Sequence, residues 1–219
     1  MHPLGELLTD AAHGCFPEQD GGWHRVPPWR EGIEAVVAFT GHAVLAVGND
    51  VTDDELHGWD VDGYGGALHP RVLQSLVGPH GWVDSLDVIV AAHGTGDDDG
   101  AGGLEPEVDL VPCDDMADHP RVRHAESLRD DVRVWADRDR SGLITLGRGL
   151  GGLPELSVEV VHAGRGLGRR LMRAALGLVP KGEVVVASVA PGNAASLRAL
   201  LASGFMPLGA VQVFKPRRR

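Results

Sequence analysis

The sequence predicts a mixed α/β fold, and three observations support that prediction. Short β-branched runs alternate along the chain with stretches whose apolar residues recur at helical spacing. Glycine and proline, present in 31 and 14 copies, mark most of the boundaries between these segments. From residue 85 onward the segments follow the order β, α, β, β, β, α, β, α, β, which predicts a mixed sheet with an antiparallel first half and helical crossovers in the second.

The chain is predicted to have two parts. At 219 residues it is long enough to bury one full core together with a sizeable extra lobe. We assign residues 1–84 to an acidic N-terminal extension or lobe and residues 85–219 to the α/β domain. The composition, with 43% hydrophobic and 23% charged residues, is typical of an ordinary globular protein.

The extension shows few clear patterns. Residues 1–30 are predicted to form an arm with one short amphipathic segment, followed by extended chain where the prolines of "WHRVPPW" restrict the backbone. Residues 33–48 predict a hairpin that turns around Gly41. Residues 69–78 predict a helix with proline at its first position and glycine at its end.

Each segment of the α/β domain follows from a local pattern. Residues 85–92 form an apolar run typical of a buried strand, and the Gly- and Asp-rich loop after it is predicted to be a linker or a lid. The helices are predicted from proline or asparagine starts and from apolar residues at helical spacing. The other elements are helix 119–131, strands "VRVWAD", "LITLGRG" and "ELSVEVV", a helix to about Val179, strand "EVVVASVA", helix "NAASLRALLAS" and the closing strand "FMPLGAVQVFK".

Charge is distributed unevenly along the chain. The formal net charge is −11, but residues 1–120 hold 3 Lys and Arg against 23 Asp and Glu, whereas residues 121–219 hold 17 against 8. This distribution does not suit a nucleic acid along the whole surface. It suits a protein that meets an anionic ligand with one part and a cationic ligand with the other.

No membrane, metal or redox pattern is present in the sequence. No apolar run approaches the roughly 20 residues that cross a bilayer, and a signal peptide's basic start and apolar block are missing, so we expect a cytoplasmic protein without a membrane partner. Cys15 and Cys113 have no metal or redox spacing and are expected to be free thiols. The histidines and Asp clusters match no zinc or calcium pattern, so no metal site is predicted.

Two glycine-rich turns are candidates for binding a nucleotide phosphate. "GRGLGG" at 147–152 has the spacing of a dinucleotide fingerprint, but Pro154 and "LSVEV" predict a strand after it, so no helix N-terminus would face a phosphate. "GRGLGRRLM" at 164–172 follows a predicted strand and opens a predicted helix. Gly166 and Gly168 allow a ligand to approach the backbone, where the first-turn N–H groups are unpaired.

Arginines crowd the start of this helix, although the helix dipole there favours an anion. They are Arg165, Arg169, Arg170 and Arg173. A bound pyrophosphate would resolve the conflict. The alternative is a tight strand-to-helix turn with solvated arginines, because Arg169 replaces the third glycine of a Rossmann motif and no Gly-Lys-Ser/Thr of a P-loop is present.

Two motifs follow one another in "LPELSVEVVHAGRGLGRRLMRAAL" and "VVVASVAPGNAASLRALLASGF". The first carries Gly166 and Gly168 after a strand, and the second is a helix that starts at Asn193 and ends in Gly-Phe. In this order and spacing they resemble the GNAT superfamily of acyl-CoA-dependent N-acetyltransferases, over about residues 132–215. The resemblance implies a GNAT-like acyltransferase fold with splayed central strands in residues 85–219.

The same resemblance implies acetyl-CoA as the ligand of the arginine-rich turn. Backbone N–H groups of the turn would hold the pyrophosphate of coenzyme A, and the pantetheine arm would run along the preceding strand, where it splays from its neighbour. Asn193 caps its helix and, by the resemblance, contacts this arm. The implied contacts are Val158, Glu159, Val160, Arg165, Gly166, Leu167, Gly168, Arg169, Arg170 and Asn193.

Two positions depart from the family pattern. Ala163 replaces the usual Gln or Arg, and Leu200 stands where the family usually carries a tyrosine near the leaving sulfur. The usual general acid is therefore missing, although a thiolate with a pKa near that of cysteine, about 8.5, leaves with modest help. The attacking amine must be uncharged, so a general base is needed, and Glu155 at the start of the strand is our candidate.

The resemblance thus implies an N-acetyltransferase that moves acetyl from acetyl-CoA to a primary amine by direct attack in a ternary complex. The acidic extension favours a small cationic amine, and a peptide amine also fits. GNAT-like proteins are often dimers, so a homodimer stays open. The alternative function is a catalytically silent acyl-CoA-binding sensor or regulatory domain, which the missing tyrosine keeps open.

Overall fold

The structure is a computed structural model that describes residues 1–96, 108–162 and 166–218. Its elements are α1 (Pro3–Ala12), β1 (Trp23–Val26), β2 (Glu34–Phe39), β3 (His42–Ala46), α2 (Asp53–Gly58), α3 (Pro70–Val77), β4 (Trp82–His93), β5 (Leu110–Pro112), α4 (Pro120–Leu128), β6 (Asp130–Asp137), β7 (Gly142–Arg148), β8 (Pro154–Val160), α5 (Leu167–Leu176), β9 (Val184–Val189), α6 (Ala194–Leu201) and β10 (Met206–Lys215).

The chain forms two compact units. Unit 1 comprises residues 1–89 and 208–219, and unit 2 comprises residues 90–207. Both contain parallel and antiparallel strand pairs next to helices, so the predicted α/β class with a mixed sheet is confirmed. The domain division at residues 84 and 85 stays a prediction; in the folded chain, residues 208–219 group with the N-terminal residues.

Unit 1 contains more regular structure than the sequence patterns indicate. Strand β1 pairs in parallel with β3, and β2 pairs antiparallel with both β3 and β10. The predicted hairpin is therefore confirmed, with Gly41 in its turn at φ 71°. In residues 1–30 the predicted amphipathic segment is confirmed as α1, whose buried face carries Leu4, Leu8 and Ala11, and part of the predicted extended chain is β1.

The helix starts of unit 1 carry signals that the sequence patterns above do not use. Thr52 and Glu55 form a capping box at α2, with the Thr52 side chain accepting from the Glu55 N–H. His2 and His69, each followed by proline, cap α1 and α3 by accepting a backbone N–H on Nδ1 at 3.1 and 3.2 Å. Histidine is not one of the usual N-cap residues, so these starts are easily overlooked.

Residues near the C-terminus are tied into unit 1 through Arg218. Its guanidinium contacts the buried carboxylate of Glu34 and lies 2.8 Å from an oxygen of Asp50. The Arg217 N–H donates to the carbonyl of Val77 at 2.8 Å. These contacts hold the residues that follow β10 against β2, the loop after β3 and the end of α3.

Unit 2 follows the predicted order of strands and crossovers, with β5 as an additional strand that the sequence patterns did not predict. Strands β5, β6, β7 and β8 form consecutive antiparallel pairs, and α5 leads from β8 to β9, which pairs with β8 in parallel. Leu171 and Ala175 of α5 are buried, as the helical spacing predicts. The helix ends at Leu176 rather than near Val179, because the next N–H groups bond three residues back and form a turn. Most of the predicted linker or lid after β4 lies outside the described residues.

Among the described residues, no helix combines the length and the apolar character that crossing a membrane requires.

Candidate functional site

Strand β8 has one paired edge and one largely open edge. It pairs with β7 along its whole length, from Pro154 opposite Arg148 to Val160 opposite Gly142. Towards β9, the one registered pair within the described ranges is Glu155 with Val186. The main chain of β8 beyond Glu155 is therefore available to another partner, as expected for splayed central strands.

The N-terminus of α5 is open to an anion. Its N-cap is Gly166 in the left-handed conformation, at φ 74°, with no side-chain cap and no acidic residue in the first turn. The first N–H groups of a helix have no intrahelical acceptor and carry the positive end of the dipole. Since no side chain of the described residues caps them, these groups are open to solvent or a ligand.

A cleft of about 970 Å³ lies at this helix start. This volume is at the upper end of the range for small-molecule sites, roughly 300–1,000 Å³. Its charged lining is basic, with three arginines against one carboxylate. The lining residues are Arg121, Val158, Glu159, Val160, Gly166, Gly168, Arg169, Met172, Asn193, Ala195, Ser196, Arg198, Ala199, Leu201 and Ala202.

The cleft brings together most of the residues that the resemblance implies as cofactor contacts. Those on its wall are Val158, Glu159, Val160, Gly166, Gly168, Arg169 and Asn193. Leu167 and Arg170 belong to the first turn of α5 but are not part of the wall. Arg165 and Ala163 lie outside the described residues. All ten contacts stay predictions of binding, although seven share one cavity.

Helix α6 forms another side of the cleft. The Asn193 side chain accepts from the Ser196 N–H at 3.1 Å, which confirms its role as a cap. Leu200, at the position of the family tyrosine, is buried, whereas its neighbour Leu201 lines the cleft. This part of α6 therefore supplies no acidic hydrogen to a leaving group.

Glu155, the candidate general base, is held in a buried network. Its Oε1 accepts from a terminal nitrogen of Arg129 at 2.7 Å, and its Oε2 accepts from the Leu150 N–H at 2.9 Å. The two side chains are 12% and 7% exposed, respectively. Arg129 also donates to Thr145 and Ser157, at 3.2 and 3.3 Å.

These contacts limit what Glu155 can do but do not exhaust its acceptor sites. A carboxylate offers about four lone-pair positions, and Arg129 and Leu150 use two. Glu155 also lies at the one registered pair between β8 and β9, next to the point where the strands separate. Its assignment as a base stays a prediction.

The "GRGLGG" turn supports Glu155 instead of a nucleotide. Strand β8 follows it directly, as the sequence predicts, so the helix that a dinucleotide site needs is replaced by a strand. Gly151 and Gly152 have positive φ angles of 63° and 78°, and the turn presents the Leu150 N–H to Glu155. A side chain at Gly149 would collide with the Glu155 carboxylate.

Glu159, the other carboxylate of β8, pairs with the start of α4. Arg121 donates from Nε to its Oε2 at 3.1 Å, and His119 Nε2 lies 3.7 Å from its Oε1. The side chains of Glu159 and Arg121 are 38% and 37% exposed. Sequence reasoning missed both Arg121 and Arg198 as cleft residues, since no local pattern relates them to the glycine turn.

Solved structures that resemble this chain include acetyltransferases of the GNAT family. A GNAT-family protein from Novosphingobium aromaticivorans is 20% identical, with a TM-score of 0.39 over 64% of this chain and 70% of that chain. An N-acetyltransferase from Kribbella flavida is 14% identical, with a TM-score of 0.38 over 68% of this chain and 64% of that chain, slightly under two thirds of its length.

A functionally unknown protein also resembles the chain. It comes from Staphylococcus epidermidis and is 13% identical, with a TM-score of 0.42 over 68% of each chain. No protein-family model and no curated protein matches the sequence. Because these likenesses have TM-scores below 0.5, a proposal for function has to rest on the residues of the cleft.

Proposed function

We propose that unit 2 binds acetyl-CoA in the cleft and transfers its acetyl group to a primary amine. The observation that carries this proposal is the uncapped start of α5, which opens on a basic cleft beside the free edge of β8. The backbone N–H groups and the arginines match the phosphates of coenzyme A. The unpaired backbone of the strand matches its amide-bearing arm.

The residues of the chain divide the work between binding and chemistry. The first turn of α5, which includes Arg169 and Arg170, binds the pyrophosphate, and of these two arginines Arg169 is on the cleft wall. The main chain around Val158 and Val160 accepts and donates hydrogen bonds along the arm, and Asn193 adds a contact from α6. Glu155 lies further along β8, towards the acyl end.

Acetyl-CoA supplies a thioester whose carbonyl carbon accepts the amine nitrogen while the carbon–sulfur bond breaks. Glu155 accepts the amine proton through a water molecule, with the lone pairs that Arg129 and Leu150 leave free. A main-chain N–H on the open edge of β8 stabilises the negative charge that develops on the carbonyl oxygen. Leu200 is apolar, so the thiolate takes its proton from solvent.

The acceptor is proposed to be a small cationic amine. The excess of Asp and Glu in residues 1–120 supports this choice, because an acidic surface raises the local concentration of cations. Peptide amines carry the same reacting group and form the second acceptor class to screen.

The experiment is a calorimetric titration of acetyl-CoA into the full chain, with NADH as the control ligand. We expect binding of acetyl-CoA in the micromolar range and no binding of NADH. The key variant is Gly168→Asp, whose carboxylate would repel the pyrophosphate while suiting the helix dipole, so the variant should fold at least as well as the parent. A Cβ at Gly168 makes an ordinary contact, 3.6 Å from Val160, so the site has room for it.

Gly168→Ala is the matched control, since it adds the same Cβ without the charge. Binding lost in Gly168→Asp beyond any loss in Gly168→Ala measures the contribution of the anion. If the parent protein fails to bind acetyl-CoA at millimolar concentration, the proposal is wrong. If it binds acetyl-CoA but releases no free CoA with any amine, the transferase reaction is wrong and a binding role remains.

A further inference from the structure

The carboxylate of Glu159 is out of place in a site for an anion. It lies on the wall of the cleft, where an unpaired negative charge would repel a phosphate. Its two oxygens, however, each face a side chain from the start of α4: Oε2 accepts from Arg121, and Oε1 lies 3.7 Å from His119. The carboxylate is therefore already neutralised by a neighbour that also lines the cleft.

His119 lies beside this ion pair. Its Nδ1 accepts the Arg121 N–H at 3.2 Å and caps α4, so the neutral ring carries its proton on Nε2, which faces Glu159. The ion pair between Arg121 and Glu159, with His119 next to it, thus joins the start of α4 to β8 and sets the direction of the Arg121 guanidinium.

The guanidinium of Arg121 has hydrogen-bonding capacity to spare. Of its five N–H groups, the Nε–H donates to Glu159, and the part of the chain that the structure describes provides no acceptor for the four terminal ones. A guanidinium fixed through Nε presents its two terminal nitrogens as a fork, which suits the oxygens of a phosphate.

Arg121 and the α5 amides approach the cleft from opposite faces of β8. Successive side chains of a strand alternate, so Glu159 points away from the face of Val158 and Val160. Gly168 lies beside Val160, which places α5 on that face, whereas Arg121 follows Glu159 on the other. Both line one cleft because β8 has no registered β9 partner there.

We propose that Arg121 is a second phosphate-binding group of the cleft and that Glu159 is its positioning residue, not a ligand contact. The inference rests on the proposed binding of acetyl-CoA. It assigns the phosphates a site with backbone N–H groups on one side of the open strand edge and a guanidinium on the other. Glu159 was predicted to contact the cofactor, and here it instead orients Arg121.

The test compares acetyl-CoA with acetyl-pantetheine, which carries the same thioester without phosphates. Arg121→Gln should weaken acetyl-CoA binding by roughly 10-fold to 100-fold, the range expected for loss of a charge-assisted hydrogen bond. It should leave the affinity for acetyl-pantetheine unchanged. Arg123→Gln is the matched control, since Arg123 lies on the same helix, is exposed and pairs with Asp118 outside the cleft.

The role of Glu159 is tested on two backgrounds. Glu159→Gln should weaken acetyl-CoA binding when Arg121 is present, because a positioning residue acts through its partner, and should strengthen it in the Arg121→Gln background, where the unpaired carboxylate would repel the phosphates. An equal effect of Glu159→Gln on both backgrounds would mean that it contacts the ligand or acts independently.

The outcomes separate this inference from the proposed function. If the parent and Arg121→Gln bind acetyl-CoA equally while Gly168→Asp does not, the cleft binds the cofactor and Arg121 has no part in it. If Arg121→Gln weakens both ligands alike, Arg121 supports the fold and not the phosphate. If the parent binds neither ligand, the proposed function is wrong and the inference is wrong with it.

Discussion

The two ends of β8 carry the same chemistry in different surroundings. Glu155 and Glu159 lie on one face of the strand, and each pairs with an arginine at one end of α4: Arg129 follows the helix and Arg121 is in its first turn. The first pair is about nine-tenths buried, whereas the second is more than one third exposed. Identical residue types thus form a buried pair at one end of β8 and a partly exposed pair at the other.

The largest effect should come from breaking the buried pair. Arg129→Met leaves the Glu155 carboxylate buried without its charge partner, and we expect the free energy of unfolding to fall by about 3–5 kcal/mol. Urea unfolding measures this change. The double variant Arg129→Met/Glu155→Met, which removes both charges, should recover most of the loss. A loss below about 1 kcal/mol for Arg129→Met would mean that the buried pair contributes no more to stability than an exposed ion pair does.

The chemical roles of the two carboxylates should also differ. Glu155→Gln is expected to lower kcat by about 100-fold or more, because it removes the proposed base; it also lowers stability by leaving the buried Arg129 charge unpaired, while the acetyl-CoA affinity of the folded protein stays within a few-fold of the parent. Glu159→Gln should change affinity and leave kcat at saturation unchanged. The check is steady-state kinetics with calorimetry on the same samples. Equal kcat in Glu155→Gln and the parent would rule out Glu155 as the base.

Burial also affects the protonation of two histidines in unit 1, and the dependence of stability on pH tests this effect. Burial lowers the pKa of His2, which caps α1, and of His24, whose ring nitrogen lies 2.8 Å from that of His42. A lowered histidine pKa favours the neutral form in the fold. The stability that these groups contribute is therefore present above the unfolded pKa of about 6.5 and is lost as the pH falls through the folded value.

Between about pH 7.5 and 5.5 we expect the free energy of unfolding to fall, because protonation of His2 favours the unfolded chain and removes the lone pair that accepts the Leu4 N–H. His2→Asn should reduce this slope, because asparagine caps a helix without titrating in this range. His80→Asn, at an exposed position, is the control. Thermal unfolding at each pH gives the answer, and identical slopes for the parent and His2→Asn would contradict the assignment.

The smallest effect is expected for the exposed pair. A double-mutant cycle with Arg121→Met and Glu159→Met should give a coupling energy below about 1 kcal/mol in unfolding experiments, and added salt should reduce it. The same cycle on Arg129 and Glu155 should give a larger coupling that salt affects less. Similar couplings would remove the distinction between the two ends of β8.

Local patterns in the sequence were sufficient for much of the fold, whereas the cofactor contacts were implied by the resemblance and stay predictions. Proline and glycine boundaries predict the helices, β-branched runs predict the strands, and the glycine turn before α5 predicts an anion site. The arginine partners of Glu155 and Glu159 lie 26 and 38 residues away along the chain, so no local pattern connects them. These residues become neighbours because α4 packs against β6 and β7. The spacing of residues along the sequence does not predict which helix packs on which strand.

The tie of Arg218 to Glu34 and Asp50 has a consequence for synthesis on the ribosome. Unit 1 needs β10 and the residues after it, yet 118 residues of unit 2 are made between its two segments. At about 5–20 residues per second, this interval lasts roughly 6–24 s. Residues 1–89 must therefore wait for β10, and until it is made the edge of β2 that pairs with β10 has no partner. All residues of unit 2 have been made before that point. Unit 1, whose synthesis begins before that of unit 2, is therefore completed after it.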